Sequence, residues 1–256
     1  MTFRPTGYTS WAAGATNIAE PTDVKKNVGW GINEQPASSY FNWLSNKVDS
    51  WRSYFDWATS LRPVVEDDFV RAIASGGGSG TISPMWTSAS GGWLLTEATD
   101  APGTLQFFGA LNGGAAVDFY TRIGSLNDRD FRLELITKYV QRVGGETGYF
   151  FYGAIGHYGF AATGPSANYA FLYTPSGRGT TSIDLGVDPI STTYKKLVAE
   201  RHGATLGVFI DDILRASIPG VMMGATAMKL GGQHVSATVL DTVNNSIDRI
   251  GLWRKV

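Results

Sequence analysis

The sequence predicts a mainly β protein: an antiparallel two-sheet sandwich or barrel, preceded by an extended arm and one long helix. Glycine accounts for 32 of the 256 residues, and 8 Trp, 11 Tyr and 13 Phe together equal that number. This mixture is typical of many short strands joined by tight turns. Beyond residue 64 short apolar runs are separated by turn residues, with no alternation of strands and helices. One segment with helical spacing precedes them.

Residues 1–35 form the predicted anchoring arm. Pro and Gly interrupt the arm repeatedly, and neither a period of 2 nor one of 3.6 survives in it. It nevertheless carries large apolar side chains, which is unusual for a solvated linker: Phe3, Tyr8, Trp11, Ile18 and Trp30. These residues pack either on the chain's own body or on a partner, and both interpretations are open.

Residues 36–63 form the predicted oligomerising helix, periodic from 37 to 62. Ser38 or Ser39 can cap its start, and Pro63 is expected to end it. Its apolar residues are spaced 3, 4, 3, 4 and 3 apart, as in a coiled-coil seam: Phe41, Leu44, Val48, Trp51, Phe55 and Ala58. Either the helix lies on its own domain or it bundles with other copies. If the helix bundles, its large aromatic residues fit better around three helices than around two, which would make a homotrimer.

Residues 64–256 contain about eleven strand candidates. In "FRLELIT", Phe131, Leu133 and Leu135 alternate with Arg132, Glu134 and Ile136, which predicts a strand with one wet face. A wet strand face is likewise predicted to carry Arg201 and the pair Lys195–Lys196. The acidic run at 66–68 is expected to be a solvated turn after the helix. The last strand, with Ile247, Ile250, Leu252 and Trp253, is expected to close the core.

The C-terminal part resembles concanavalin A-like and laminin-G-like jelly rolls. The matching segments are a charged strand with its following turn, a hairpin, a glycine pair and a final strand: 201–203, 209–212, 230–232 and 247–253. Asp212 stands where Gly is usual in the hairpin, so a longer turn or another turn type is expected there. The resemblance covers roughly residues 65–256 and implies an antiparallel jelly-roll β-sandwich.

The first 60 residues resemble the N-terminal segment of tailed-bacteriophage virion proteins, often tail-fibre or other appendage proteins. The matching residues are Trp11, Pro21, Asp23, Lys25, Lys26, Gly29, Trp30, Glu34, Pro36, Phe41, Asn42, Trp43, Leu44, Asn46, Asp49 and Trp51. The resemblance implies a virion component, anchored at its N-terminus and trimeric. Trp11 and Trp30 of the arm join the seam residues as the expected anchoring and oligomer interface.

Composition excludes several classes. The net charge is −1 without a basic block, which disfavours nucleic-acid binding. There is no cysteine, so disulfides, thiolate zinc sites and cysteine nucleophiles are absent. The N-terminus does not read as a secretory signal, and no apolar run is long enough to insert in a membrane. These absences predict a protein made in a cytoplasm that stays soluble or joins an assembly. The phage resemblance implies that this assembly is a virion, formed in a host cytoplasm.

Motifs for chemistry are weak. Glycosidases need two carboxylates about 5–9.5 Å apart, but Glu134 stands alone, and the strand is expected to end between Asp184 and Asp188. The three histidines are scattered and are expected at turns or on the surface. Asp211 and Asp212 alone are weak evidence for calcium. The sequence therefore predicts no enzyme, no metal site and no cofactor.

Glycan binding remains a candidate, because sugars stack on exposed aromatic faces. The candidate stacking residues are Trp86, Trp93, Tyr158 and Tyr169. The competing interpretation places most of them in the core. The leading function hypothesis is a tail fibre or appendage with a lectin-like head that contacts the host surface. A capsid-decorating or cement protein is the alternative, and a jelly-roll carbohydrate-active enzyme comes third.

Overall fold

The computed structural model describes residues 21–22, 38–68, 80–81, 86–88, 94–98, 101–111, 116–126, 128–143, 146–153, 156–163, 168–173, 181–188, 193–221, 228–235 and 241–256. The chain divides into two compact units, Met1–Leu61 and Arg62–Val256. The finer division into arm, helix and sandwich stays a prediction. Among the described residues, no helix has the length and apolar character that crossing a membrane requires.

One helix and sixteen strands are described. The helix is α1 (Ser38–Ser60). The strands are β1 (Leu61–Asp67), β2 (Gly80–Thr81), β3 (Thr87–Ser88), β4 (Leu94–Ala98), β5 (Ala101–Leu111), β6 (Ala116–Gly124), β7 (Phe131–Val143), β8 (Glu146–Gly153), β9 (Gly156–Thr163), β10 (Tyr169–Tyr173), β11 (Thr181–Asp184), β12 (Lys195–His202), β13 (Thr205–Ile210), β14 (Ile213–Ile218), β15 (Met228–Val235) and β16 (Asp241–Lys255).

The strands form two antiparallel sheets. Sheet A has the order β14-β13-β12-β7-β16-β5-β4, with β1 also paired to β16. Sheet B has the order β11-β10-β9-β8-β15-β6-β3-β2. Neighbours distant in sequence, such as β7 and β16, lie side by side, as the crossing connections of a jelly roll require. The predicted fold class, a mainly β jelly-roll sandwich preceded by a single helix, is confirmed.

The core lies between the two sheets. The alternation predicted in β7 holds, since Leu133 and Leu135 are fully buried. Both residues pair in register with β16, opposite Leu252 and Ile250. From sheet B the same core cluster receives a buried set: Phe160, Tyr169, Phe171 and Leu230. The rings of Phe160 and Phe171 meet edge to face, 5.3 Å apart. The last strand therefore sits in the middle of sheet A, and Ile247, Ile250 and Leu252 close the core as predicted. The prediction was wrong for Trp253, which is half-buried and pairs with Arg132 on the face away from the core.

The end of α1 differs from the prediction. The helix stops at Ser60, and Pro63 lies inside β1 instead of ending the helix. A residue before proline is pushed towards extended backbone, so the chain has already left the helix at Arg62. The hydroxyl of Ser60 donates a 2.7 Å hydrogen bond to the Trp57 carbonyl in the last turn.

The acidic run after the helix is not a solvated turn. Its middle residue, Asp67, belongs to β1 and is 3% exposed. The indole nitrogen of Trp86 donates a 2.7 Å hydrogen bond to its Oδ2. A carboxylate needs such a donor when it is removed from water, so this pair fixes both side chains in the core.

The β13–β14 hairpin also differs from expectation. Ile210 pairs directly with Ile213, so the turn has only two residues, as in the tightest hairpins. Asp211 and Asp212 both have positive φ, 50° and 64°, the combination of a type I′ turn. Asp tolerates this conformation better than most residues, and its contacts here compensate for the missing glycine.

Arg201 does not lie on a wet strand face, because its side chain is 3% exposed. Its Nε donates to the Val221 carbonyl at 3.1 Å, and its Nη1 donates to the carbonyls of Asp128 and Arg129. The guanidinium thereby satisfies carbonyls of two loops at one end of the sandwich. Neighbouring Gly203 turns with a φ of +59° and donates its N–H to Asp130.

Candidate functional site

The predicted seam of α1 is exposed. Its large apolar side chains keep more than half of their surface open: Phe41 57%, Leu44 53%, Val48 59% and Phe55 56%. Trp51 is half-buried, and its ring lies 5.6 Å from that of Phe55 on the same helix. Exposed large apolar residues in a continuous row are unusual on a soluble surface and mark an interaction site.

The exposed residues border an open groove of about 590 Å³. Among the described residues, its lining consists of these residues of α1: Leu44, Lys47, Val48, Trp51, Arg52, Phe55 and Asp56. The floor is apolar, and Lys47 and Arg52 stand on its two sides. The Nζ of Lys47 lies 5.7 Å from the Trp43 ring, which holds the aliphatic stem of the lysine along the helix.

A different stripe of α1 is buried. Ser50 and Trp57, seven residues apart, are 4% and 2% exposed, and Ser39 is 8% exposed. With 3.6 residues per turn, this stripe lies on the side of the helix away from the seam. The helix thus has one face that the chain buries and another that it leaves open. The other two predicted interface residues, Trp11 and Trp30, lie outside the described residues.

Two of the four candidate stacking residues are in the core. Trp86 is 0% exposed and Tyr169 is 1% exposed, so neither can present a ring to a sugar. Burial of large aromatic side chains drives sandwich packing, and here the competing core interpretation is confirmed. Trp93 lies outside the described residues. For Tyr158 the structure describes the backbone only, which pairs with Tyr173 in β9–β10.

The face of sheet B away from the core holds a tyrosine that sequence reasoning missed. Thr121 pairs with buried Leu230, so Tyr120 points to the opposite face. It is half-buried there. Its row across the sheet runs through β3, β6, β15, β8, β9 and β10: Thr87, Tyr120, Gly231, Phe150, Gly159 and Leu172.

Two glycines lie in this row. Gly231 pairs with Tyr120 and Gly159 pairs with Leu172, and both glycines are buried, so neighbouring groups cover the sheet at these two points. Exposed Arg122 shares the face of Tyr120, two residues further along β6. This strip of the outer face thus offers one half-buried aromatic ring with a cation beside it, which are groups that can contact a sugar. No periodic signal in β6 distinguishes its two faces, so only the register could identify Tyr120.

Sheet A carries a charge cluster on its face away from the core. Arg132 donates 2.7 Å from its Nη2 to Oε2 of Glu134, and its Nη1 donates to Oε1 of Glu200. The Nζ of Lys196 lies 3.8 Å from Glu134, and Nε2 of His202 lies 3.7 Å from Glu200. Glu134 is therefore not alone. His202, expected at the surface, is 4% exposed.

This carboxylate pair is not arranged for glycoside hydrolysis. The guanidinium of Arg132 donates to both carboxylates, so each of them already has an oxygen engaged in an ion pair. The side chain of Glu200 is only 2% exposed, so a sugar cannot reach it. At the other predicted pair, the strand ends at Asp184 before the turn at Gly186, as expected. Asp184 there accepts a 2.7 Å hydrogen bond from the Gly186 N–H.

The Asp211–Asp212 turn is neutralised by two lysines. Asp211 Oδ2 lies 2.9 Å from Lys195 Nζ, and Asp212 Oδ1 lies 3.2 Å from Lys196 Nζ. The Lys196 N–H also donates to Asp211 Oδ1 at 3.0 Å. The two carboxylates are thus engaged in pairing the turn with β12. Across the described residues, three or more potential metal-ligating side chains do not cluster anywhere.

Comparison with known proteins shows the fold. No family model matches the sequence, and no curated protein does either. Solved structures do match. An endo-1,3-β-glucanase from Streptomyces sioyaensis aligns with a TM-score of 0.53 at 11% identity, covering 77% of this chain and 97% of that one. The carbohydrate recognition domain of Emp47p aligns at 0.54 and 11% identity, covering 78% and 99%.

A third similar structure comes from a phage. The CBM2 module of the evolved Dit of Lactobacillus casei BL23 phage J-1 aligns with a TM-score of 0.53 at 9% identity, covering 77% of this chain and 97% of that one. This chain therefore carries a concanavalin A-like jelly roll. Its neighbours include carbohydrate-binding domains and glucanases, and one belongs to a phage protein. Identities this low establish the fold alone.

These neighbours correct one prediction. The sequence analysis excluded an enzyme, but several glucanases and glycosyl hydrolases share this fold with the chain. The exclusion was therefore wrong. It relied on the absence of a carboxylate pair within one sequence motif, whereas a sheet brings together residues from distant strands. Glu134 and Glu200, 66 positions apart, illustrate how such pairs escape a sequence search.

Proposed function

We propose that this chain is a structural protein of a bacteriophage particle. Its N-terminal region and α1 fasten it to other subunits, and the jelly-roll unit is a carbohydrate-contacting head. The exposed seam on α1 is the observation that carries this proposal. The phage-like pattern of the first 60 residues and the phage Dit module among the structural neighbours support it.

The energetics of the seam favour a partner. Fully burying a large apolar side chain is worth about 1.5–3 kcal/mol. Four seam residues are each more than half exposed, so roughly 3–6 kcal/mol per chain is gained once a partner covers them. Other copies of the chain are the proposed partner. The homotrimer expected from the sequence stays a prediction, as does docking to tail or capsid proteins.

The proposed ligand of the head is a cell-surface polysaccharide. The supporting observation is half-buried Tyr120 with exposed Arg122 on the outer face of sheet B, on a fold shared with the Emp47p carbohydrate recognition domain and the CBM2 module. A tail fibre or appendage is the location that gives such a head access to the host. A capsid-decorating protein is the second candidate, since it too would use an exposed helical seam for assembly.

The assembly part is tested with Trp51→Ala. This change removes the largest side chain of the seam, and we expect sedimentation to show a smaller species while circular dichroism shows an intact head. Ser53→Ala, on an exposed site outside the seam, is the matched control and should sediment like the parent. An unchanged assembly in Trp51→Ala would contradict the seam as the fastening surface.

The head is tested separately on a glycan array with the intact chain. We expect retention of host-surface polysaccharide and loss of binding in Tyr120→Ala, with Tyr194→Ala as the control tyrosine outside the strip. Binding that survives Tyr120→Ala would overturn the assignment of this face. Release of reducing sugar in the same experiment would show that the head also cleaves its ligand. A map of the particle separates tail from capsid.

A further inference from the structure

The seam of α1 has the same spacing in both directions. Its six positions, from Phe41 to Ala58, are separated by 3, 4, 3, 4 and 3 residues. A second helix turned end for end therefore matches the first along the whole seam. In that arrangement Phe41 lies opposite the partner's Ala58, Leu44 opposite the partner's Phe55, and Val48 opposite the partner's Trp51.

Side-chain size favours this antiparallel arrangement. Each layer then contains one large and one smaller residue, which is how facing positions interdigitate without voids. Parallel copies in register place like against like. Trp51 would meet Trp51 in one layer, and Ala58 would meet Ala58 in another, so the seam would contain both a crowded layer and an underfilled one.

The charges beside the seam point the same way. In a parallel pair, Lys47 of one helix lies next to Arg52 of the other, because residues five apart face each other across such a seam. In the antiparallel pair Lys47 faces the partner's Tyr54 and Arg52 faces the partner's Ser45. The two cations of the groove are then separated from those of the partner.

We propose that α1 pairs with a second copy of this chain as an antiparallel two-fold dimer, centred between Asp49 and Ser50. This inference rests on the self-association part of the proposed function and replaces the expected homotrimer by an antiparallel dimer. A two-fold interface uses the same surface on both copies, which the symmetric spacing of the seam satisfies. The two heads then leave the helix pair at opposite ends.

Because the chain has no cysteine, only introduced thiols can form a disulfide, which allows a direct test. Leu44→Cys and Phe55→Cys chains, carrying different tags, are expressed together and then oxidised. In the antiparallel dimer the two introduced thiols face each other, and we expect a mixed disulfide at least about tenfold more abundant than either homodimeric product. Two chains that both carry Leu44→Cys would hold their thiols roughly 16 Å apart along the axis, beyond disulfide reach.

Three other results overturn the proposal. Efficient linkage between two Leu44→Cys chains, without the mixed product, shows parallel copies. Equal linkage by Ser53→Cys, the control on an exposed site outside the seam, shows random collision. A monomer by sedimentation at all concentrations, with the head folded, removes self-association altogether. Glycan retention by the head is measured on the same sample, so failure of the dimer is distinguished from failure of the proposed carbohydrate contact.

Discussion

Leu44 and Leu133 are the same side chain in opposite surroundings. Leu44 on α1 is 53% exposed, and Leu133 on β7 is 0% exposed. In the second unit many large apolar residues form one buried cluster with members from both sheets, although Ile213 and Leu214 are exposed. In α1 one stripe is buried and the other is open. The difference teaches that the spacing of apolar residues identifies a surface that needs a packing partner. Only the fold shows whether that partner is another part of the same chain.

Removing the second part of β16, from Ile247 onward, should break the second unit completely. This strand pairs with both β7 and β5 in the centre of sheet A, and Ile247, Ile250 and Leu252 are 0% exposed. A chain that ends at residue 246 should lack a cooperative melting transition and be digested rapidly by protease. Deleting only Val256, which is 82% exposed, should change neither property. A truncated chain that melts cooperatively would show that the core does not need this strand.

The two leucines provide a matched pair of substitutions. Leu133→Ala leaves a cavity between the sheets, and we expect the free energy of unfolding to fall by about 2–5 kcal/mol in urea. Leu44→Ala should change it by less than about 0.5 kcal/mol but should shift sedimentation towards smaller species. If Leu44→Ala destabilised the monomer as strongly as Leu133→Ala, the seam would be part of the fold.

The charge cluster of sheet A extends the comparison to polar groups. Arg132→Met removes the cation that bridges to Glu200, whose side chain is only 2% exposed. Because a buried carboxylate would then lack its partner, we expect the free energy of unfolding to fall by up to about 3 kcal/mol. The control is Arg249→Met, whose partner Glu66 is exposed, and it should cost at most about 1 kcal/mol. Denaturant melts measure both, and equal losses would contradict a special role for the buried cluster.

The sequence predicted features that depend on local pattern. Alternation in β7 was visible because one face meets the core, and the helical spacing of α1 was visible for the same reason. Features that depend on the pairing register of strands distant in sequence could not be predicted. Arg132 meets Glu200 only because β7 pairs with β12, and Tyr120 turns away from the core only because Thr121 pairs with Leu230. Trp86 escaped for another reason. Its sequence neighbourhood does not show whether its indole lies in the core or at the surface.

The smallest expected effect concerns Asp248 of β16. This residue follows buried Ile247 and is itself half-buried. Burial raises the pKa of its carboxyl above the usual 3.8, the nearby charge of Asp68 raises it further, and Arg249 partly opposes both. Between 3.8 and the folded-state pKa, the folded chain holds this proton more tightly than the unfolded chain does. The stability contributed by this group is therefore present below pH 3.8 and is lost as the pH rises through the folded-state pKa.

Asp248→Asn removes the charge that the folded state disfavours. We expect its melting temperature at about pH 7 to exceed that of the parent slightly, with the difference vanishing as the pH falls below 3.8. Asp68→Asn is the matched control. It removes the nearby charge but leaves Asp248 buried, so the pKa of Asp248 stays raised by burial and part of the pH dependence should remain. A lower melting temperature for Asp248→Asn at neutral pH would mean that attraction to Arg249 outweighs burial at this position.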